Sequence, residues 1–207
     1  MDIKKIAILY CKKSGRVCTG AACFRSFYDR KKNFTQYEGQ EVELSAYMRF
    51  LDTLEQCDKS GGVDLFVTNY YYEHADGKGN RSICYANALP EHKIFEWPET
   101  KPFKLHQLLT IHSCTFRTEL LRCYTKRLPH HVFYEDNLMV YQALPYVKKM
   151  YYLNADLYRY YIGREGQSVQ RDVMTKRYQH QLTVTQKCFE AAHLDEIKDA
   201  RQQKYLK

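Results

Sequence analysis

No run in this sequence approaches 18 consecutive apolar residues, the length at which a bilayer-spanning helix becomes the natural reading. The opening MDIKKIAILYCKKSGR passes directly into charged residues, with no small-residue cleavage site behind it. Both absences lead to the expectation of a soluble, cytoplasmic protein without a transmembrane segment. Internal repeats and low-complexity linkers are missing as well, so the chain is expected to fold as one compact α/β body. No recognised nucleic-acid motif occurs and the basic residues are spread along the chain, which argues against DNA or RNA as a partner.

Against these absences stand 19 tyrosines, far more than packing alone needs. Such a surplus suggests aromatic rims with polar tips, suited to stacking on sugar faces; Trp97 and the Tyr70, Tyr71, Tyr72 run are candidates, with plain core or hairpin packing as the alternative. With no leader expected, the eight cysteines read as thiols and not as a disulfide framework. A net charge of +8 favours anionic partners such as nucleotide diphosphates or lipid headgroups, or else describes a solvated basic surface.

Periodicity divides the chain into alternating elements. Lys4–Tyr10 and Glu41–Tyr47 read as strands around a helix over Ala22–Phe34, a β-α-β unit. Met48–Asp58 reads as a helix stopped by Ser60-Gly61-Gly62, and Val63–Tyr72 as a strand. The Ala75–Asn80 segment (ADGKGN) is expected to turn a hairpin into a strand over Ser82–Leu89. Short helices are expected over Pro102–Leu109 and Arg117–Tyr124, flanking an extended Thr110–Phe116. Phe133–Leu144 carries an apolar helical stripe with Glu135, Asp136 and Asn137 crowded at its start, where a helix favours carboxylates. Two strands, Val147–Leu153 and Asp156–Tyr161, come next, and Gln170–His193 reads as one long helix.

Three segments in order carry a resemblance: His112-Ser-Cys-Thr-Phe-Arg117 leading into a helix, Phe133-Tyr-Glu135-Asp136-Asn137 opening the next, and Asp156-Leu-Tyr-Arg159-Tyr-Tyr-Ile-Gly-Arg164-Glu-Gly-Gln167-Ser168. From Met48 to Lys207 the chain resembles the acceptor-side, C-terminal half of family 2 glycosyltransferases. That likeness implies a GT-A-like fold in truncated form: an α/β architecture with a mixed, mostly parallel sheet flanked by helices. It also implies inverting transfer from a nucleotide sugar to a glycan or polyol hydroxyl, as in polysaccharide biosynthesis. By resemblance Asp136 is the base that takes the acceptor proton, and Glu135 orients the loop or the acceptor. His112 and Arg117 would line the substrate cleft, while Arg159, Arg164, Gln167 and Ser168 would meet the leaving diphosphate. Read without the resemblance, the carboxylate pair caps a helix, the arginines are solvated and His112 is structural.

The family's donor half carries an Asp-x-Asp element that seats Mg or Mn on the diphosphate, and this sequence contains none. Weak or absent transferase activity is therefore expected of this chain alone, with a partner chain as one source of a donor site and peripheral membrane contact left open. Residues 1–47 instead resemble the start of the CGGC domain, a small α/β family proposed to bind metal. KIAILYC, Cys18, Ala-Cys23-Phe and EVELSAY carry that likeness, although Tyr47-Met-Arg-Phe stands where the defining Cys-Gly-Gly-Cys is expected. Cys11, Cys18 and Cys23 are the candidate ligands for zinc or iron, their wider spacing also fitting structural thiols.

Overall fold

A computed structural model describes residues 4–5, 42–43, 53–74, 76–124, 126–163, 167, 170–191 and 193–207. The chain divides into two units, Met1–Leu54 and Glu55–Lys207. In the first, β1 (Lys4–Lys5) pairs in parallel with β2 (Val42–Glu43). Parallel neighbours require a crossover between them, in keeping with the β-α-β reading; the helix expected over Ala22–Phe34 lies outside the described residues.

The second unit is an α/β structure with a mixed sheet and helices against it. Helix α1, described over residues 53–59, ends where Gly62, at φ 74°, donates its N–H back to the Cys57 carbonyl, so the glycine pair is the stop that the sequence implied. Strand β3 (Leu65–His74) follows and is the spine of the sheet. On one side it pairs along its whole length, in parallel, with β7 (Met150–Ile162). Its other edge is shared by two short antiparallel strands, β6 (Cys114–Phe116) against Leu65–Val67 and β4 (Arg81–Ile83) against Tyr70–Tyr72. Strand β5 (Ile94–Phe95) closes the far edge of β7.

Leu65 and Val67 from β3 and Met150 and Tyr152 from β7 form one buried face, covered by Leu120 of α2 (Thr118–Tyr124) and Val140 and Ala143 of α3 (Glu135–Ala143). The continuous burial of Leu65–Tyr70 is what a parallel pair covered on both faces produces. Trp97 is core, 3% exposed, and donates its indole N–H to the Val147 carbonyl, so it is no sugar platform.

Several expectations need correction. Val147–Leu153 and Asp156–Tyr161 are one strand with an irregular register at Asn69, because the sheet absorbs extra residues as a bulge. The strand after the ADGKGN turn stops at Ile83, since Tyr85 is pulled into the core and its hydroxyl donates to Leu108 O and bonds Ser113 Oγ. Pro102–Leu109 is not helical: the Gln107 side chain binds the Lys104 N–H, Asn87 and the Cys84 carbonyl, ties that compete with helical hydrogen bonds. The long C-terminal helix is divided into α4 (Arg171–Lys176) and α5 (Tyr178–Ala191) at Arg177, whose guanidinium lies 4.0 Å from the Phe133 ring centre. Packing there overrides an uninterrupted helical propensity. A further helix, α6 (Ala200–Leu206), starts on an Asp199 cap and buries Gln202, whose amide donates to Leu144 O and Pro145 O.

Asp64 fastens the start of the parallel pair by accepting the Lys148 and Lys149 backbone N–H groups, both at 2.9 Å. Asp64→Ala leaves both donors without this acceptor and should cost about 1–3 kcal/mol, Asp64→Asn less. Urea unfolding followed by fluorescence of Trp97, the single tryptophan, measures it; equal midpoints for wild type and Asp64→Ala would refute the role.

Candidate functional site

The irregular register is where the site begins. Thr68 stands opposite Leu153, Asn69 opposite Asp156 and Tyr70 opposite Tyr158, so β7 inserts extra residues between positions that are adjacent on β3. The polar groups exposed by this break satisfy one another: the Tyr152 hydroxyl donates to Asn69 Oδ1 and Asn69 Nδ2 donates to Asn154 Oδ1, each at 2.7 Å. Before the bulge, Leu65 and Val67 face the core cluster; after it, Tyr70 and Tyr72 do. The change from odd to even positions shows that the bulge re-aims the strand, a use of bulges common beside functional sites.

Strand β6 brings the histidine. Its register places Cys114 opposite Val67, and two residues earlier His112 comes level with the re-aimed part of β3. The His112 ring stacks on Tyr158 at 4.7 Å and 11°, lies 4.6 Å from Tyr160 and meets Tyr70 edge-on at 5.5 Å. Tyr72 completes the group, edge-on to Tyr160 at 5.6 Å and to Tyr70 at 5.3 Å. These rings sit toward the carboxyl ends of two parallel strands, where open α/β sheets place their ligands. Tyr158 stays 42% exposed, so one wall of the box faces solvent.

Helix α3 supplies the carboxylates. Glu135 and Asp136 occupy its first turn, where the helix dipole favours negative charge. Tyr134 enters the helix at φ 70°, a strained conformation for an aromatic residue. That entrance is braced from α5: the Phe133 N–H donates to His180 Nδ1 at 3.0 Å, and Arg177 covers the Phe133 ring. Asp136 is half-buried and acts electrostatically on both His112 and Tyr160.

On His112 two effects oppose each other. Burial lowers its pKa below the ordinary 6.5 and is the larger; the Asp136 carboxylate pulls upward and is the smaller. The ring is accordingly neutral near pH 7. Burial raises the Tyr160 phenol, against the Gln167 side chain, and raises Tyr70 further, so both hydroxyls remain protonated donors.

Of the residues singled out from sequence, Asp136 and His112 are brought together, with Glu135 beside them on α3. Gln167 is close by, its amide donating to Tyr161 O and accepting from the Gly163 N–H. Arg159 is on the other side of the sheet, gripping Glu73 through two nitrogens at 2.9 and 3.0 Å and lying over Tyr71. Successive strand residues alternate faces, so Arg159 cannot share a cleft with Tyr158 and Tyr160. Arg117 is at the opposite end of β3, its Nε donating to Val63 O; by strand rise this is about 20 Å from the tyrosines. Arg164, Ser168, Cys11, Cys18 and Cys23 lie outside the described residues. Tyr70 and Tyr72 come from the run singled out as a stacking platform, while Tyr71 lies under Arg159; Tyr158, Tyr160, Arg177 and His180 went unrecognised in the sequence, and the i, i+2 pair Tyr158/Tyr160 was the available signal.

The cleft thus offers a carboxylate, a neutral imidazole and phenol donors among flat apolar faces. Among the described residues no group of three or more His, Cys, Asp or Glu side chains is placed to hold a metal ion. The described part of the site does not fit a divalent cation. The five described cysteines, Cys57, Cys84, Cys114, Cys123 and Cys188, are free thiols. No described helix is long and apolar enough to cross a membrane.

The CGGC domain family matches residues 5–63, which runs past Met48 to the start of β3 and leaves the aromatic cleft uncovered. No curated protein matches the chain.

The folded His112 holds its proton more weakly than the unfolded chain does. Its contribution to stability is therefore complete above pH 6.5 and is lost as the pH falls from there through the lower folded value. An NMR titration should give a midpoint below 6.5, and Asp136→Asn should lower it further by removing the opposing charge. A midpoint unmoved by that substitution would separate the carboxylate from the ring.

Proposed function

We propose that Glu55–Lys207 works as the acceptor-side half of an inverting glycosyltransferase of the family 2 type. The observation that carries this reading is that the Asp136 charge reaches both His112 and Tyr160, whose rings sit at the carboxyl end of the parallel β3–β7 pair. A glycan or polyol acceptor stacks its C–H face on the exposed Tyr158 side of the box, with phenol hydroxyls and neutral His112 orienting its polar edge. Asp136 takes the proton of one acceptor hydroxyl as that oxygen attacks the anomeric carbon of a nucleotide sugar. The bond from that carbon to the diphosphate breaks, and its electron pair leaves with the nucleotide. Glu135 orients the acceptor or the loop, and Arg164 and Ser168 belong with the leaving diphosphate.

The donor side is thin, because no Asp-x-Asp exists to seat Mg or Mn. Neutralising that leaving group is a large part of the barrier, so turnover by this chain alone is slow or requires a partner chain bearing the donor site. With a nucleotide sugar, manganese and a glycan acceptor, product detected by mass spectrometry should fall roughly 10²–10⁴-fold in Asp136→Asn. Equal turnover in wild type and variant refutes the base. Glycan binding that survives the substitution, without any wild-type turnover, moves the reading to a non-catalytic carbohydrate-binding protein.

A second reading is favoured by the CGGC domain match: a metal-binding module at the N-terminus, with zinc or iron on Cys11, Cys18 and Cys23. Protein purified without chelators should then carry close to one equivalent of metal, lost on mutating these cysteines; less than about a tenth of an equivalent rejects the site.

A further inference from the structure

On the second unit, away from the tyrosine box, the irregular segment Thr100–Leu109 and helix α6 enclose a pocket of about 320 Å³. Its wall is apolar, with Phe103 and Tyr205 packed at 4.6 Å between ring centres. Lys101, Lys104, Arg201 and Lys204 stand around it, and no carboxylate lines it. None of these cations forms an ion pair among the described residues, while Glu99, two residues before Lys101, is bound to Lys93 and Asp199, two before Arg201, accepts the Gln202 N–H as a helix cap. At the tip of the segment Leu105 is 85% exposed and Leu108 60% exposed.

This is not loose chain thrown out from the surface. Gln107 pins the turn through Lys104, Asn87 and Cys84, the Tyr85 hydroxyl donates to Leu108 O, and the Leu109 N–H donates to the Tyr205 hydroxyl at 2.6 Å. The fold spends several hydrogen bonds on holding two leucines out in water, and nothing among the described residues of the second unit covers them. A protruding apolar tip ringed by cations matches an anionic bilayer surface, where apolar insertion and a basic patch act together. An acidic protein partner would need its own cavity to receive so exposed a tip.

We propose that the Lys101–Leu108 segment and α6 form a docking face for an anionic phospholipid bilayer. Leu105 and Leu108 enter the interface, and a lipid phosphate lies among Lys101, Lys104, Arg201 and Lys204. The face carries no residue of the proposed catalytic cleft and does not depend on that reading.

Co-sedimentation of the full chain with vesicles tests it. Binding is expected to vesicles of phosphatidylcholine with 30% phosphatidylglycerol, to be absent with phosphatidylcholine alone, and to weaken with salt. Lys101→Glu with Lys204→Glu should weaken it about tenfold or more, since each basic group beside an anionic leaflet counts. Leu105→Ser with Leu108→Ser should weaken it comparably at unchanged thermal stability, both side chains being exposed, and Asp136→Asn should leave it intact. Equal binding to neutral vesicles overturns the proposal. So does anionic-vesicle binding that survives both double variants, or competition by inorganic phosphate strong enough to mark a soluble-anion site.

Discussion

The pairing between β3 and β7 controls everything the cleft contains, and its decisive feature is that it is irregular. Two regular parallel strands would keep one side-chain parity from Leu65 to His74, and Tyr70 and Tyr72 would then face away from the helices. Extra residues on β7 break that parity at Asn69. A break of this kind leaves polar groups inside a sheet buried on both faces, a cost that is met locally by Tyr152, Asn69 and Asn154. Without that small network the bulge would be a defect; with it, the bulge delivers Tyr70, Tyr72, Tyr158 and Tyr160 to one place.

What the tyrosines then do to His112 follows from the balance of two effects. Tyr158 stacked on one face of the imidazole, with Tyr160 tilted against it and Tyr70 edge-on, excludes water, which penalises the imidazolium. Asp136 opposes this but is the weaker influence, in keeping with its partial exposure at a helix start. A closer or more buried carboxylate would have made an ion pair of the two and left neither free. The arrangement keeps the ring neutral.

How much of this was legible in the sequence depended on whether the signal was local. The Gly61-Gly62 stop, the start of α3 at Glu135 and the strand over Val63–Tyr72 were readable because glycine conformation, helix-end charge and apolar runs act within a few residues. The break at Arg177 was not, because its cause, the Phe133 ring, lies more than forty positions away. Pro102–Leu109 misled for the same reason: Gln107 finds its partners at Asn87 and Cys84 instead of within a helix. The site had no such local signal. Asp136 and His112 were singled out through the resemblance to family 2 glycosyltransferases and not through a local pattern, and the meeting of Tyr158 and Tyr160 with Tyr70 and Tyr72 depends on a bulge that no local pattern announces.

Arg159 shows the limit of carrying a role along a segment. The Tyr158-Arg159-Tyr160 triplet looks like one recognition element when written out, yet a strand sends its neighbours to opposite faces. Two tyrosines enclose His112, and the arginine between them forms a bidentate pair with Glu73. A guanidinium so engaged is already neutralised and points away from any diphosphate above the box. If an anionic leaving group is stabilised by this part of the chain, the charge comes from a residue other than Arg159.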